Sequence, residues 1–104
     1  MDAFHFHSGD SKMEDLRKVA ADKIFIVHMN DVRKMPREEM RDSDRVIPGK
    51  GAIPLKEILT VLLCEKKFPG PLSIGLFNES YWNDDPVKIA KQCKAGMDEV
   101  LAEV

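Results

Sequence analysis

Three apolar runs along the chain have the length and composition of β-strands. The clearest is Lys23 to Met29, which is nearly unbroken, rich in β-branched residues and typical of a strand covered on both faces. Leu72 to Phe77 is a second such run, bounded by Pro71 before it and by a polar segment after it. Ala3 to His7 predicts a further short strand near the start of the chain.

Between these runs, apolar residues recur at helical spacing. A short helix is predicted from Lys12 to Val19, capped by Ser11 with Glu14 in capping-box spacing. A second helix is predicted from Pro54, a residue favoured at the first helical position, to about Lys66. Its apolar stripe is Leu55, Ile58, Leu59, Leu62 and Leu63.

A third helix is predicted to begin at Pro86, with Asp85 as its N-cap. Its inward-facing residues are predicted to be Ile89, Ala90, Cys93, Met97, Val100, Leu101 and Val104. The polar segments from Asn30 to Gly51 and from Asn78 to Asp84 are predicted to be loops.

Strands and helices therefore alternate as βαβαβα, and no hairpin signal interrupts them. This alternation indicates an α/β fold with a parallel sheet. The length of 104 residues indicates a single domain that spans residues 1–104.

The overall composition is that of a folded globular protein, with 43% hydrophobic and 33% charged residues. The net charge of -2 provides no basic field for nucleic acid or an anionic membrane. No signal-peptide pattern and no membrane-spanning apolar run is present, so a cytoplasmic location is predicted. Cys64 and Cys93 lie on apolar helix faces and are predicted to be reduced core residues; a disulfide or redox role is the less favoured alternative.

Polar residues that could carry chemistry follow the ends of the predicted strands, where parallel α/β folds place their active sites. His28 fits either a capped core histidine or a metal ligand equally well. Asp2 and His5 could supply a carboxylate ligand and a polar partner. Alternation separates these two side chains unless the strand bends or ends between them. His7 is predicted to face solvent.

The run from Asp44 to Gly51 is a candidate anion-binding loop. Its glycines would let the backbone approach a ligand closely. Arg45 offers a planar guanidinium to phosphate, carboxylate or vicinal hydroxyls. On pattern alone a solvated turn is the simpler interpretation.

Four segments together resemble the C-terminal units of a known family. They are Asp2-Ala3-Phe4-His5, Val27-His28-Met29-Asn30-Asp31, Asp44-Arg45-Val46-Ile47-Pro48-Gly49-Lys50-Gly51-Ala52-Ile53-Pro54-Leu55, and Gly70-Pro71-Leu72-Ser73-Ile74-Gly75-Leu76-Phe77 followed by Tyr81-Trp82. In this order and at these distances the sequence resembles the sugar phosphate isomerase/epimerase family, and within it the inosose isomerase-like proteins. That family has a xylose isomerase-like (β/α)₈ TIM barrel. The resemblance covers nearly the whole chain and implies the C-terminal βαβαβα portion of the barrel, strands six to eight.

The resemblance also implies a metal site. Family members hold one divalent metal through a Glu on the fourth strand, an Asp on the sixth, a His on the seventh and a Glu on the eighth. Asp2 and His28 match the Asp and the His, His5 matches a substrate-contacting or supporting His, and Arg45 matches a loop residue that touches substrate. The implied metal is Mn, Mg, Co, Fe or Zn. The implied reaction moves a proton between adjacent carbons through an enediolate, with the two Glu residues as general acid and base.

The sequence departs from the family pattern at both of those Glu positions. The fourth-strand Glu lies in a part of the barrel that the chain does not cover, and Gly75 stands where the eighth-strand Glu is expected. No catalytic carboxylate is therefore intact in this chain.

Two functional hypotheses follow. The first is the C-terminal part of an isomerase or epimerase for a sugar or inositol-derived ketose, expected to be inactive alone. The second is a non-catalytic module that self-associates or binds a ligand. A DNA endonuclease of the same superfamily is disfavoured by the net charge of -2. Because three strands cannot close a barrel, open edges and apolar faces predict a homo-oligomer or a complement of an N-terminal half-barrel.

Overall fold

The computed structural model describes residues 1–104. Its strands are β1 (Val27–Met29), β2 (Asp31–Val32), β3 (Arg45–Val46) and β4 (Leu72–Ile74). Its helices are α1 (Ala3–Ser8), α2 (Met13–Lys18), α3 (Leu55–Leu59), α4 (Glu79–Trp82) and α5 (Pro86–Leu101). A π-helix over Thr60–Glu65 continues α3 directly. Short 3₁₀ turns occupy Ala21–Lys23, Arg37–Glu39 and Asp42–Asp44.

The parallel sheet consists of β1, β4 and the first residues of the chain. β1 and β4 pair in parallel, with Met29 opposite Ile74. On the other side of β1, Asp2 forms a parallel bridge with His28, whose N–H donates to the Met1 carbonyl over 2.8 Å. The predicted parallel arrangement is therefore confirmed.

The predicted strand from Ala3 to His7 is wrong, because these residues form α1. Asp2 is the N-cap of that helix, and its carboxylate accepts the N–H of His5 at 3.2 Å. Aspartate with an extended backbone is among the strongest N-caps, so the strand ends at Asp2 and the chain turns directly into a helix. This ending of the strand meets the condition under which Asp2 and His5 can lie on the same side.

β1 is shorter than predicted, and one face of the sheet is open. Lys23 belongs to a 3₁₀ turn, and the strand begins only at Val27. Phe25 is 79% exposed and Ile26 38%, whereas Val27 and Met29 are fully buried. The prediction that this run is covered on both faces is wrong, because the helices of this chain cover only one of them.

α3 and the π-helix contribute a large part of the core. Most of the predicted stripe is buried, at Leu55, Ile58, Leu59 and Leu62. The wider turn of the π-helix shifts the phase of the following side chains, so that Val61 is buried, Leu63 is half-buried and Cys64 is exposed. The prediction of a core position for Cys64 is therefore wrong, whereas Cys93 is buried as predicted.

α5 begins as predicted, because the Asp85 carboxylate accepts the N–H of Val87 at 3.1 Å. The buried residues of this helix are Cys93, Gly96, Met97 and Val100. Ala90 and Val104 are exposed, so the predicted inward stripe extends too far at both ends. No helix of the structure combines the length and the apolar character that crossing a bilayer requires.

Two predicted loops contain regular structure. Within residues 30–51, β2 and β3 pair antiparallel, with Val32 opposite Arg45. Residues 78–84 contain α4. The predicted Ser11 cap of α2 is wrong, because Lys12 is the N-cap and its N–H donates to the Asp15 carboxylate at 2.9 Å.

Candidate functional site

Polar side chains gather at the edge of the sheet where the parallel segments end. The Nδ1 atom of His28 lies 3.7 Å from Oδ2 of Asp2, and the His28 side chain is half exposed. The parallel pairing of their strands brings these two residues together, as expected from sequence. We call the group at this edge the strand-end cluster; it consists of Asp2, His5, His28, Asn30, Arg45 and Gly75.

The Asp2 carboxylate serves both α1 and the cluster. Oδ1 accepts the N–H of His5, and Oδ2 accepts from Nη1 of Arg45 at 3.0 Å. Burial is the largest single influence and raises the pKa of Asp2. The His5 N–H, the Arg45 charge and the Asn30 amide together outweigh it and hold the pKa of Asp2 below its ordinary value. The cluster therefore contains a carboxylate that is ionised at neutral pH.

Arg45 is almost completely buried, with 3% of its side chain exposed. Its guanidinium lies between the rings of Phe4 and Phe77, at 4.7 and 4.9 Å from their centroids. Both rings therefore make cation–π contacts with it. Nε and Nη2 also donate to the Asp42 carboxylate at 3.2 and 2.7 Å. Because Asp42 is largely exposed and Asp2 is not, Asp2 is the principal charge partner of Arg45.

His5 lies beside this guanidinium and remains exposed. Its Nε2 is 3.3 Å from Nη2 of Arg45; because a guanidinium only donates, Nε2 accepts this bond in the tautomer that carries its proton on Nδ1. The ring also packs edge-on against Phe4, with centroids 5.4 Å apart. The prediction that His7 faces solvent in a turn is wrong, because His7 lies in α1 and is half-buried.

Asn30 is a fully buried member of the cluster whose role is not evident from the sequence. Its amide nitrogen donates to both Asp2 oxygens at 3.3 and 3.4 Å and to the Gly75 carbonyl at 3.4 Å. Its Oδ1 has no hydrogen-bond partner. Turning the amide over would set Oδ1 against the Asp2 carboxylate, so these contacts fix its orientation. The available signal was its place directly after a strand.

Gly75 marks the end of β4 within the cluster. Its N–H donates to the Met29 carbonyl at 3.1 Å, and its own carbonyl accepts from Asn30 and Arg45. An ideal Cβ at this position would have no heavy atom within 4 Å. The backbone therefore leaves room for a side chain that this residue does not have.

The glycine-rich loop encloses a carboxylate of the chain itself. Asp31 is 1% exposed. Its Oδ1 accepts the N–H groups of Val32 and Ile53 at 2.9 Å each. Its Oδ2 accepts those of Gly49 and Gly51 at 3.0 Å each. Backbone N–H groups that converge on one point form an anion-binding concavity, and we call this one the nest. The hypothesis that the loop binds an external anion through these glycines is wrong, because Asp31 already fills the nest.

Two side chains of the cluster have the chemistry of metal ligands. A carboxylate oxygen from Asp2 and an imidazole nitrogen from His28 suit zinc and other first-row divalent ions. No group of three or more His, Cys, Asp and Glu side chains is placed to hold a metal ion. Since a four-coordinate site needs further ligands, the cluster fits such an ion in the type of its donors but supplies only half of their number.

Comparison with known sequences gives a consistent result. A family described as xylose isomerase-like TIM barrel matches residues 1–100. The inosose isomerase of Halalkalibacterium halodurans is 42% identical over 94 residues, and that of Bacillus subtilis is 37% identical over 95 residues. Both matches cover 88% of this chain. The chain spans about a third of the length of these relatives, 33% and 34% respectively.

Solved structures give the same result at the level of the fold. The IOLI protein, whose crystal structure contains a zinc atom, superposes with a TM-score of 0.92 at 34% identity. That match covers 99% of this chain and 37% of the IOLI chain. A xylose isomerase domain protein from Alicyclobacillus acidocaldarius superposes with a TM-score of 0.83 at 25% identity, over 98% of this chain and 36% of that one.

Proposed function

This chain belongs to the xylose isomerase-like TIM barrel family, and from that premise we propose that it acts as the C-terminal part of a divalent-metal-dependent isomerase or epimerase. The predicted fold, a C-terminal βαβαβα portion of a TIM barrel, is confirmed by the barrels that it matches over about a third of their length. The relatives are inosose isomerases, so the proposed substrate is a sugar or inositol-derived ketose.

The observation that supports this proposal is the placement of Asp2 beside His28. The two side chains end neighbouring parallel segments with 3.7 Å between Nδ1 and Oδ2, at the positions that match the family's Asp and His ligands. We propose that they hold the metal through these atoms. When bound, a divalent ion supplies polarisation of a substrate carbonyl and hydroxyl pair. Zinc, manganese, cobalt and iron suit this donor pair, and magnesium suits the carboxylate.

His5 and Arg45 are proposed to contact the substrate. The Nη2 to Nε2 contact of 3.3 Å lies at the exposed side of the buried guanidinium, since His5 is exposed. A substrate hydroxyl or carbonyl oxygen could replace the His5 ring as the acceptor, which would give Nη2 a charge-assisted bond. The freed imidazole would then be available to a second substrate oxygen.

The carboxylates that move the proton are not provided by this chain. Gly75 has no side chain, and the other Glu of the family pattern belongs to the part of the barrel that the chain does not span. We therefore propose that the chain is inactive until further βα units complete the site. Phe25, Ile26 and Phe77 are exposed apolar residues that such units would cover. Completion by an N-terminal half-barrel and association of several copies both remain predictions, as does a cytoplasmic location.

A non-catalytic role is the alternative, and Gly75 favours it. A glycine cannot coordinate through a side chain or accept a proton, and the contacts of the cluster do not depend on a side chain at this position. The chain would then be a module that binds a ligand or associates with another protein without turning over substrate.

Metal titration separates the two roles. Zn²⁺ or Mn²⁺ would be titrated calorimetrically into the chain alone, and into the chain mixed with the five N-terminal βα units of an inosose isomerase relative. The first role predicts binding that the added units strengthen and that His28→Gln weakens by about 10-fold or more. His7→Gln, a histidine outside the cluster, serves as the matched control and should leave affinity unchanged. Absence of metal binding both in the chain alone and in the mixture leaves only the non-catalytic role.

A further inference from the structure

The β2–β3 ribbon carries Arg45 into the strand-end cluster, and we infer that Asp31 is the residue that positions Arg45. Asp31 lies on β2 opposite Val46, and its neighbour Val32 lies opposite Arg45. Each strand has two residues, and a ladder that short is not stable without additional support. The inference concerns the fold around Arg45 and does not depend on whether the cluster binds a metal.

The Asp31 carboxylate provides that support from the side of the turn. After β3 the chain turns and returns so that Gly49, Gly51 and Ile53 each donate an N–H to the carboxylate at 2.9 to 3.0 Å. Ala52 adds an N–H bond to the Val32 carbonyl at 2.8 Å. The turn after β3 is therefore bonded to β2 through both the Asp31 side chain and the Val32 carbonyl, and this holds β3 against β2.

The glycines of the turn fit this role. A Cβ on Gly51 would lie 2.3 Å from the Val32 carbonyl oxygen and 2.4 Å from Oδ1 of Asp31, which is closer than a Cβ atom approaches any non-bonded atom. Gly49 has φ of +87°, a conformation that L side chains rarely adopt. The constraint at Gly51 exists because the backbone closes around the carboxylate, and Gly49 turns the chain at the point where its own N–H donates to Oδ2. Both glycines therefore fit a turn built around an internal carboxylate.

The position of Arg45 depends on this closure. Its backbone is held by the ribbon and by the side-chain amide of Asn78, which donates to the Arg45 carbonyl at 3.1 Å. Loss of the Asp31 charge would release the turn and loosen β3, and the guanidinium would leave its site between Phe4 and Phe77. Asp31 touches no residue of the strand-end cluster through its carboxylate, so it acts on the cluster through the backbone of β3.

Chemical accessibility of Arg45 provides the test. Asparagine at position 31 would set its NH₂ group against two of the four N–H donors. Asp31→Asn is therefore expected to lower the melting temperature by about 10 °C or more. In protein kept folded well below that temperature, phenylglyoxal modification of Arg45, mapped by mass spectrometry, should rise by about 10-fold or more as the ribbon opens locally. Arg17, which lies on α2 away from the ribbon and has 42% of its side chain exposed, serves as the internal reference and should react equally in both proteins.

Two controls distinguish positioning from general loss of stability. Leu16→Ala, a core truncation on α2, lowers the melting temperature without touching the ribbon and should leave Arg45 protected. Asp31→Ala leaves an empty nest, and added formate should restore Arg45 protection there while having no effect on Leu16→Ala. Equal exposure of Arg45 in Leu16→Ala and Asp31→Asn, or no response to formate, would overturn the inference.

Hydrogen exchange of the unaltered protein keeps the inference testable if both Asp31 variants fail to fold. The amides of Gly49 and Gly51 belong to exposed residues, yet both are bonded to the buried carboxylate. They should exchange at least about 100-fold more slowly than free loop amides. Exchange at the free-loop rate would refute the enclosure of Asp31 and the role built on it.

Discussion

Arg45→Met removes the guanidinium that lies between Phe4 and Phe77 and leaves an unbranched apolar side chain in its place. Methionine is flexible and packs well against aromatic rings, so the substitution removes the charge and its hydrogen bonds more than it removes packing. Asp2 then loses its principal cationic partner while its side chain stays only 14% exposed. The prediction is a large loss of stability that originates in an uncompensated carboxylate.

The magnitude follows from the burial of each partner. Breaking a buried ion pair costs about 3–5 kcal/mol, and the Asp2–Arg45 pair falls in this class. The bond to Asp42 adds little, because that carboxylate is 57% exposed. We therefore expect the free energy of unfolding to fall by about 4 kcal/mol, a large fraction of the ~5–15 kcal/mol that stabilises a domain of this kind.

Urea denaturation followed by far-UV circular dichroism measures this loss. Arg33→Met is the matched control, because Arg33 donates to Asp44 at 2.6 Å but its side chain is 67% exposed. Its loss should cost less than ~1 kcal/mol. If Arg45→Met destabilises the protein no more than Arg33→Met, the reasoning from buried charge is refuted.

The effect should also depend on pH in a defined direction. The folded-state pKa of Asp2 lies below the ordinary value of 3.8, against the opposing effect of burial, and Arg45 is among its causes. Such a group contributes stability above the unfolded pKa and loses that contribution as the pH falls through the folded pKa. The stability difference between the unaltered protein and Arg45→Met is therefore expected to be largest at neutral pH and to shrink below 3.8. A difference that stays constant down to about pH 2 would contradict the assignment to Asp2.

Three further predictions concern other parts of the chain. Gly75→Glu places a third ligand in open space and should strengthen Zn²⁺ binding, measured calorimetrically, by roughly 100-fold; a similar gain when His28→Gln is also present would contradict a shared site. Asp85→Ala removes the N-cap of α5 and should lower the unfolding free energy by about 1 kcal/mol in thermal denaturation, whereas Asp85→Ser should retain most of it. Cys64 is exposed, whereas burial of Cys93 raises the pKa of its thiol. At pH 8 a disulfide reagent should therefore modify Cys64 first, and faster modification of Cys93 would contradict the packing of α5.

The parts of the fold that local signals determine were predictable. Asp85 and Pro86 mark the start of α5 within two residues, and Pro54 marks the start of α3. The order of strands and helices then requires a parallel sheet. The parallel order alone does not place Asp2 beside His28, because the predicted first strand begins after Asp2; the resemblance to the family supplies that pairing.

Elements that depend on bonds between distant residues were not predictable in this way. The β2–β3 ribbon relies on the Asp31 carboxylate, which meets donors 18 to 22 residues further along the chain. The exposure of Cys64 follows from a π-helical turn, and an apolar pattern assumes the ordinary helical period. Alternating apolar residues from Ala3 to His7 fit a strand as well as the short helix α1, and the N-cap at Asp2 decides between the two.

Within the site, the missing part was the support around the charged groups. Asn30 and Phe77 contact Asp2 and Arg45 only because four separate segments converge there. Sequence spacing identifies the residues that end strands, but it does not identify which neighbour receives each hydrogen bond. The charged residues are therefore predictable from sequence, whereas the amide and the rings that hold them are not.

The members of the strand-end cluster differ in how much of the fold rests on them. Asp2 starts a helix, neutralises Arg45 and receives the amide of Asn30, so selection for folding alone is enough to keep it. Residue 75 contributes to the fold only through its backbone atoms, and a side chain at this position would meet no neighbouring atom. A relative that is no longer selected for catalysis could change residue 75 without loss of stability, whereas a change at Asp2 would destabilise its fold. An aspartate at this position in a relative is therefore weak evidence that the relative is catalytically active. The residue at position 75 is more informative.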